Sequence, residues 1–237
     1  MKWSVEEIKR LAPLLDEVEA ELEPLEGKHL LVLCSAGGEM AFRLAAKMRR
    51  GRVVGVELDQ GLVEAARKSA EEKHFSHLLE FGGTEKTRLS LPDNAFDGLM
   101  SEFIVYPSPM PTEVGQPEMA RVLKPGGRMV ITDVIVPQPV TADIRQDLAS
   151  IGLDYLCEGT AEDFRAWMQG AGLVDTVVKD LTPVLRALWE RRRETDPAPE
   201  HRPGYALLLE DSPVRLGKGL FYILVHGTTP KGRMWKK

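Results

Sequence analysis

Small residues follow the first strongly apolar run of the chain and could bring the backbone close to a ligand. The run 29–34 is followed by Ser35 and then by Ala36, Gly37 and Gly38, and a helical pattern begins at Glu39. Glycine permits tight turns, and the free N–H groups at a helix N-terminus attract an anion or a carboxylate. Taken alone, this turn is explained as well by packing as by ligand binding.

An acidic residue ends the second apolar run, about 20 residues beyond the turn, which is where nucleotide-binding folds place a ribose acceptor. This residue is Glu57, at the end of the segment 53–57. A carboxylate in that place can accept hydrogen bonds from both hydroxyls of a ribose. The alternative is a solvated loop acid, a role that also suits Asp59. Together, the turn and the acid favour a ligand that contains adenosine.

Two common nucleotide-binding motifs are missing around the turn. A dinucleotide site needs the pattern G-x-G-x-x-G, whereas the segment 36–41 has glycine only at Gly37 and Gly38. A P-loop is excluded because no Gly-Lys-Ser or Gly-Lys-Thr follows. A nicotinamide oxidoreductase is therefore kept only as a weaker alternative.

The pattern of strands and helices predicts how these residues are positioned. Apolar runs and turn signals predict strands at 29–34, 53–57, 78–81, 96–103, 128–136, 174–181, 205–209 and 220–227. Three- and four-residue spacing predicts helices at 4–22, 39–50, 60–72, 112–123, 160–170 and 183–194. We expect Pro13 to bend or interrupt the first helix, and Gly115 and Pro117 to weaken the fourth. Alternating strands and helices indicate βαβ units in a parallel sheet.

Composition and charge exclude several other classes of protein. The 237 residues carry a formal net charge of -5, which disfavours a nucleic-acid partner. The two cysteines, Cys34 and Cys157, form neither a disulfide framework nor a metal-knuckle spacing, and the histidines show no metal-ligand spacing either. The N-terminus lacks the apolar core of a signal peptide, and no apolar run reaches the roughly 18 residues that span a bilayer. We therefore expect a cytoplasmic protein without a metal site.

Four segments in the correct order resemble the class I S-adenosylmethionine-dependent methyltransferases. They are 31–38 (LVLCSAGG), 53–57 (VVGVE), 91–97 (LPDNAFD) and 119–128 (MARVLKPGGR). The resemblance covers about residues 28–181 and is strongest for the small-molecule group of ubiquinone/menaquinone-type, methyltransferase-11-like enzymes. It implies an α/β, Rossmann-like fold: a seven-stranded, mostly parallel sheet with an antiparallel last strand and helices on both faces.

The same resemblance implies an S-adenosylmethionine site and the role of each residue in it. Ala36, Gly37 and Gly38 would line the methionine end of the cofactor, and Ser101 would face the same moiety. Glu57 would hold the ribose, and the next residue would join the site. The adenine would be contacted by the residues Thr84, Glu85 and Lys86, and the complete implied set is Ala36, Gly37, Gly38, Glu57, Leu58, Thr84, Glu85, Lys86 and Ser101.

The chain departs from the family pattern in its first motif. Cys34 stands where the family usually has an acid, and Ala36 and Met40 replace the usual first and third glycines. An alanine fits such a turn, whereas Met40 could press on the pocket. These changes leave open a second interpretation, in which the chain is a catalytically inactive S-adenosylmethionine-binding module on the same fold.

Methyl transfer from a sulfonium is an in-line displacement, so no fixed set of catalytic residues can be searched for. Candidates to face a small-molecule methyl acceptor are Glu102, Tyr106, Tyr155 and Cys157, and each can also be read as solvated or packing. Cys157 lies where related arsenite methyltransferases have a cysteine, but arsenic needs several thiolates and Cys34 belongs to the cofactor turn. Arsenite is therefore a weak candidate for the acceptor.

The domain organisation expected from these patterns is simple. Residues 1–27 form an N-terminal helical segment, and residues 28–237 form the methyltransferase domain. The stretch at about 183–219 is longer than the core fold needs, so we expect an insertion there. It could act as a lid over the substrate or as a contact in a homo-oligomer.

Overall fold

The computed structural model describes residues 9, 11–33, 38–84, 87–102, 114–137, 139–142, 145–146, 157–195 and 219–232. Its strands are β1 (His29–Leu33), β2 (Arg52–Glu57), β3 (Leu79–Gly83), β4 (Phe96–Ser101), β5 (Leu123–Val136), β6 (Cys157–Glu158), β7 (Val174–Asp180) and β8 (Phe221–Thr228). Its helices are α1 (Ala12–Ala20), α2 (Glu39–Ala46), α3 (Gln60–Glu72), α4 (Gln116–Val122), α5 (Ala161–Gly170) and α6 (Thr182–Thr195).

The strands of the described residues form one mixed sheet in the order β3-β2-β1-β4-β5-β8-β7, with the short β6 paired to β5. All the pairings are parallel except those of β8, which runs antiparallel to both β5 and β7. The predicted α/β fold, with an antiparallel last strand, is therefore confirmed. The chain order reverses between β1 and β4, and in open α/β sheets ligands bind at the carboxyl ends of the strands beside such a reversal.

Helices cover both faces of the sheet because its strands are apolar on both sides. One apolar cluster packs α1, α2, α3 and α6 against the sheet, with Leu14, Leu44 and Leu185 fully buried. The second cluster packs α4 and α5 on the other face through Met119 and Phe164. Burial on both faces explains why the interior strands read as continuous apolar runs.

Prolines lie at the start of two helices. Pro13 lies in the first turn of α1, and Pro117 lies in the first turn of α4, for which Gly115 is the N-cap. The first turn of a helix tolerates proline because its N–H groups have no intrahelical partner. Lys9 is helical and Leu11 lies in a turn directly before α1, which agrees with the expected interruption at Pro13, and α4 begins only at Gln116.

Two further differences concern the strands and one helix face. β5 begins at Leu123, five residues earlier than predicted, and its pairing with β4 shifts register between Phe96 and Gly98. β6 was not predicted, since two residues are too short to produce a pattern. On α5, Trp167 is 39% exposed, although it neighbours the buried Phe164 and Met168 on the same helix.

The N-terminal segment packs directly on the same core. Glu19 of α1 is fully buried, and its carboxylate contacts Arg43 of α2 at 2.5 Å and Lys47 at 2.6 Å. The insertion or lid predicted at about 183–219 stays a prediction: its first part is α6, and residues 196–218, including the predicted strand 205–209, lie outside the described residues. Within the described residues, every helix is too short or too polar to cross a bilayer.

Candidate functional site

The helix that follows β1 begins at a residue that must be glycine. Gly38 is the N-cap of α2 and has a φ of 103°, in the left-handed region that favours glycine. A Cβ built there would lie 2.9 Å from Cε2 of Phe42 and 3.1 Å from Cζ of Phe81. Gly38 is thus closely packed against two aromatic side chains at the start of α2.

Glu57 ends β2 at the same edge of the sheet and is fully buried. The interpretation as a solvated loop acid is therefore wrong for this residue. Asp59 has a different role: it is the N-cap of α3, and its side chain accepts the N–H of Leu62 at 3.1 Å. A buried carboxylate is costly unless it has polar partners, so a fully buried acid at a strand end indicates a specific task.

The other predicted site residues that the structure describes meet at this edge. Ser101 is the last residue of β4, is buried, and is the register partner of Leu33 in β1. Thr84 directly follows β3, and its N–H donates to the carbonyl oxygen of Glu57 at 3.1 Å. Leu58 is 37% exposed beside the buried acid. The remaining predicted residues lie outside the described residues: Ala36, Gly37, Glu85 and Lys86.

A buried polar cluster lies next to Ser101. Glu102 is almost fully buried, and its Oε1 accepts hydrogen bonds from the hydroxyls of Tyr222 and, at 3.2 Å, of Thr132. Burial raises the pKa of Asp133, the neighbour of Thr132 in β5, to about 8, and the N–H of Val134 donates to this side chain at 2.7 Å. Burial and the nearby Glu102 raise the pKa of Tyr222 well above its ordinary value, so its hydroxyl stays protonated.

Comparisons with known proteins agree with this geometry. Residues 31–131 match the family described as "Methyltransferase domain". The chain is 28% identical to the arsenite methyltransferase of Halobacterium salinarum, over 71% of this chain and 43% of that protein. It is 26% identical to the 27-O-demethylrifamycin SV methyltransferase of Amycolatopsis mediterranei, over 76% of this chain and 66% of that protein.

Residues 31–131 thus resemble a methyltransferase domain, and the chain is similar to named methyltransferases over about three quarters of its length. Its fold is that of the geranyl diphosphate C-methyltransferase from Streptomyces coelicolor, with a TM-score of 0.74, 19% identity, and coverage of 94% of this chain and 81% of that one. The chain spans less than half of the length of the arsenite methyltransferase that it matches.

Several of these buried polar residues give little signal in the sequence. Thr132 and Asp133 lie inside the apolar run of β5, and Tyr222 lies inside that of β8, so all three read as strand residues. The available signal was an acid within an otherwise apolar interior strand, which is rare without a function. Glu102 was a candidate, and its alternative as a solvated acid is wrong. Cys157 is buried in β6, whereas Cys34, Tyr106 and Tyr155 lie outside the described residues.

One departure from the family motif turns out to be a core residue. Met40 is almost fully buried and belongs to the apolar cluster that packs α2 on the sheet. The expectation that it could press on the pocket therefore has no support in the structure, because its side chain is taken up by the core.

Proposed function

We propose that this chain binds S-adenosylmethionine at the edge formed by the carboxyl ends of β1, β2 and β4, and transfers its methyl group to a small-molecule acceptor. The observation that carries this proposal is the fully buried Glu57 at the end of β2, beside a helix that opens at the left-handed Gly38. A buried acid at the end of β2 and a closely packed glycine at the start of α2 suit a nucleoside that carries a small zwitterion.

The donors and acceptors at this edge fit the parts of that cofactor. The Glu57 carboxylate can accept hydrogen bonds from the two ribose hydroxyls. The free N–H groups at the start of α2, next to Gly38, suit the carboxylate of the methionine moiety. Thr84 is one of the residues that the family resemblance implies for the adenine, and Ser101 offers a hydroxyl at the end of β4.

When bound, S-adenosylmethionine supplies a methyl group that is already activated on a sulfonium. The chain has to orient the acceptor toward that methyl group and to exclude water, and preorganised positioning of this kind accounts for a large part of such a rate enhancement. Because the edge beside Ser101 is lined by buried side chains, it suits a reaction that must be kept away from solvent.

A catalytic chain explains the described residues better than an inactive binding module does. Met40, one of the departures that motivated the inactive alternative, packs in the core and gives no reason to expect a blocked site. The relatives do not identify the methyl acceptor. One is named for arsenite and another for a demethylrifamycin, so their names favour no single substrate. The net charge of -5 favours a small molecule over a nucleic acid.

Titration calorimetry of the purified chain tests the cofactor, and a methylation assay tests the activity. We expect binding of S-adenosylmethionine and of S-adenosylhomocysteine, and none of NAD. We also expect S-adenosylhomocysteine to form when a panel of phenols, alcohols, amines and thiols is added. Binding of NAD alone, or of none of the three ligands, contradicts the proposal. Binding without any transfer across the panel favours the inactive module.

A further inference from the structure

Among the described residues, β5 continues beyond the end of β4 and has a stretch without a paired strand on that side, called the opening below, before it pairs with β6. Its register with β4 ends at the pair Ser101 and Ile131, and its pairing with β6 begins only at Ile135. The polar cluster of Glu102, Thr132 and Tyr222 lies at this opening, next to the proposed cofactor site.

Within the cluster, two hydroxyls fix one carboxylate oxygen. The side chains of Thr132 in β5 and Tyr222 in β8 both donate to Oε1 of Glu102, so the carboxylate is held from two strands. Hydrogen bonds donated to a carboxylate favour its ionised form over its protonated form. Because Tyr222 is fully buried and keeps its proton, it remains a donor to Glu102 throughout the working pH range.

Asp133 lies on the other face of β5 from Thr132, because successive strand residues point to opposite faces of a sheet. Burial raises the pKa of Asp133 to about 8, so this side chain is neutral at pH 7. Asp133 therefore adds no negative charge near Glu102 that would attract a cationic acceptor.

We propose that Glu102 is the base that takes the proton of a neutral hydroxyl acceptor, with Tyr222 and Thr132 as the residues that position it. This inference rests on the proposed methyl-transfer function. In the step, the acceptor oxygen bonds to the methyl carbon as the carbon–sulfur bond breaks, and the sulfonium sulfur keeps the electron pair of that bond. The hydroxyl proton passes to the Glu102 carboxylate and later to solvent. The products are a methyl ether and S-adenosylhomocysteine.

A neutral hydroxyl acceptor suits a base in this place. A hydroxyl carries its proton at neutral pH and gains from a base, which typically contributes about 10²–10⁴-fold to the rate.

The test compares Glu102→Gln and Tyr222→Phe with a matched control, Asp97→Asn. Asp97 is an acid in the same strand at the opposite end of the sheet, where it pairs with Lys124 at 2.8 Å. Each variant is assayed for binding of S-adenosylmethionine by calorimetry and for S-adenosylhomocysteine formation with phenol, catechol, 4-hydroxybenzoate, benzyl alcohol and benzylamine. Binding of catechol to the complex with S-adenosylhomocysteine gives a readout that does not depend on turnover.

We expect Glu102→Gln to bind S-adenosylmethionine within about threefold of the unmodified chain, but to lose at least about 100-fold in transfer to hydroxyl probes and to bind catechol more weakly. Tyr222→Phe removes one donor to the carboxylate, so its rate should fall and the acid side of its pH profile should move to higher pH. A purely structural role of Tyr222 would lower the rate without moving the profile. Asp97→Asn should leave the pH profile unchanged.

Several results would overturn the inference while leaving the cofactor site in place. The first is methylation of benzylamine in preference to every hydroxyl probe. The second is an unchanged rate and pH profile in Glu102→Gln. The third is a chain that binds S-adenosylmethionine but neither binds nor methylates any hydroxyl probe. Failure of the unmodified chain to bind S-adenosylmethionine would instead contradict the proposed function itself.

Discussion

Glu57 and Gly83 are register partners at the carboxyl ends of the adjacent parallel strands β2 and β3. The ladder continues one residue further, since the N–H of Thr84 donates to the carbonyl oxygen of Glu57. The backbone that carries the buried carboxylate is therefore fixed on the β3 side, and β1 pairs with β2 up to Val56 on the other side. A ligand held by this acid would meet a site that is organised before binding, which favours affinity.

Gly38→Ala should destabilise the chain and weaken S-adenosylmethionine binding. The new Cβ would lie 2.9 Å from Cε2 of Phe42, and the backbone has a φ of 103°. We expect a loss of about 2–3 kcal/mol in the free energy of unfolding, from backbone strain and the close contact together. The control is Gly27→Ala, where φ is 77° but nothing lies within 4 Å of the added carbon. Equal losses in both variants, measured by urea unfolding, would show that the packing at Gly38 is unimportant.

Glu19→Ala should loosen the N-terminal helix from the domain. The buried carboxylate bridges α1 to Arg43 and Lys47 of the following helical segment, and its removal leaves those cations without their buried partner. We expect about 2 kcal/mol less stability, below the value for a wholly buried pair because both cations stay partly exposed. Asp16→Ala is the matched control, since Asp16 contacts the same two cations from an exposed position, and it should cost less than about 1 kcal/mol. Urea unfolding of both variants gives the comparison, and equal losses would contradict a role for burial.

The sequence predicted most of the described strands and helices and the edge of the sheet at which the proposed cofactor residues lie. Interior parallel strands are buried on both faces and give unbroken apolar runs, and the acid and glycine signals stand at the ends of two such runs. Asp133 and Tyr222 could not be recognised in this way, because a side chain within an apolar run gains a role only from its neighbours in the folded sheet. Trp167 fits a helical period as well as Phe164 does, yet the face that α5 buries is set by its packing on β7, which the period alone does not reveal.

Asp133→Asn should stabilise the chain increasingly as the pH rises. Burial raises the pKa of this acid from 3.8 to about 8, so between these values the folded chain keeps a proton that the unfolded chain has released. The free energy of unfolding of the unmodified protein therefore falls as the pH rises between these two values. The fall is about 1.4 kcal/mol per pH unit for this one group. Asparagine removes this dependence and keeps an acceptor for the N–H of Val134.

Urea unfolding of both proteins at pH 5, 6, 7 and 8 measures this effect. The difference in unfolding free energy, variant minus unmodified, should rise steadily across the series. For Asp97→Asn the corresponding difference should stay constant over the same range, because Lys124 and the N–H of His29 hold the pKa of Asp97 below its ordinary value against the opposing effect of burial. A constant difference for Asp133→Asn would mean that this acid is ionised in the folded protein.

The most direct measurement is the affinity of Glu57→Gln for S-adenosylmethionine, determined by titration calorimetry beside the unmodified chain. The amide keeps the shape of the side chain but replaces a charged acceptor, and hydrogen bonds to charged groups contribute about 1.5–3 kcal/mol each, so we expect the dissociation constant to rise at least about tenfold. Glu80→Gln, an exposed acid on β3 that pairs with Arg52, should bind like the unmodified chain. If Glu57→Gln folds normally and binds S-adenosylmethionine with unchanged affinity, Glu57 does not hold the cofactor and the proposed site is wrong.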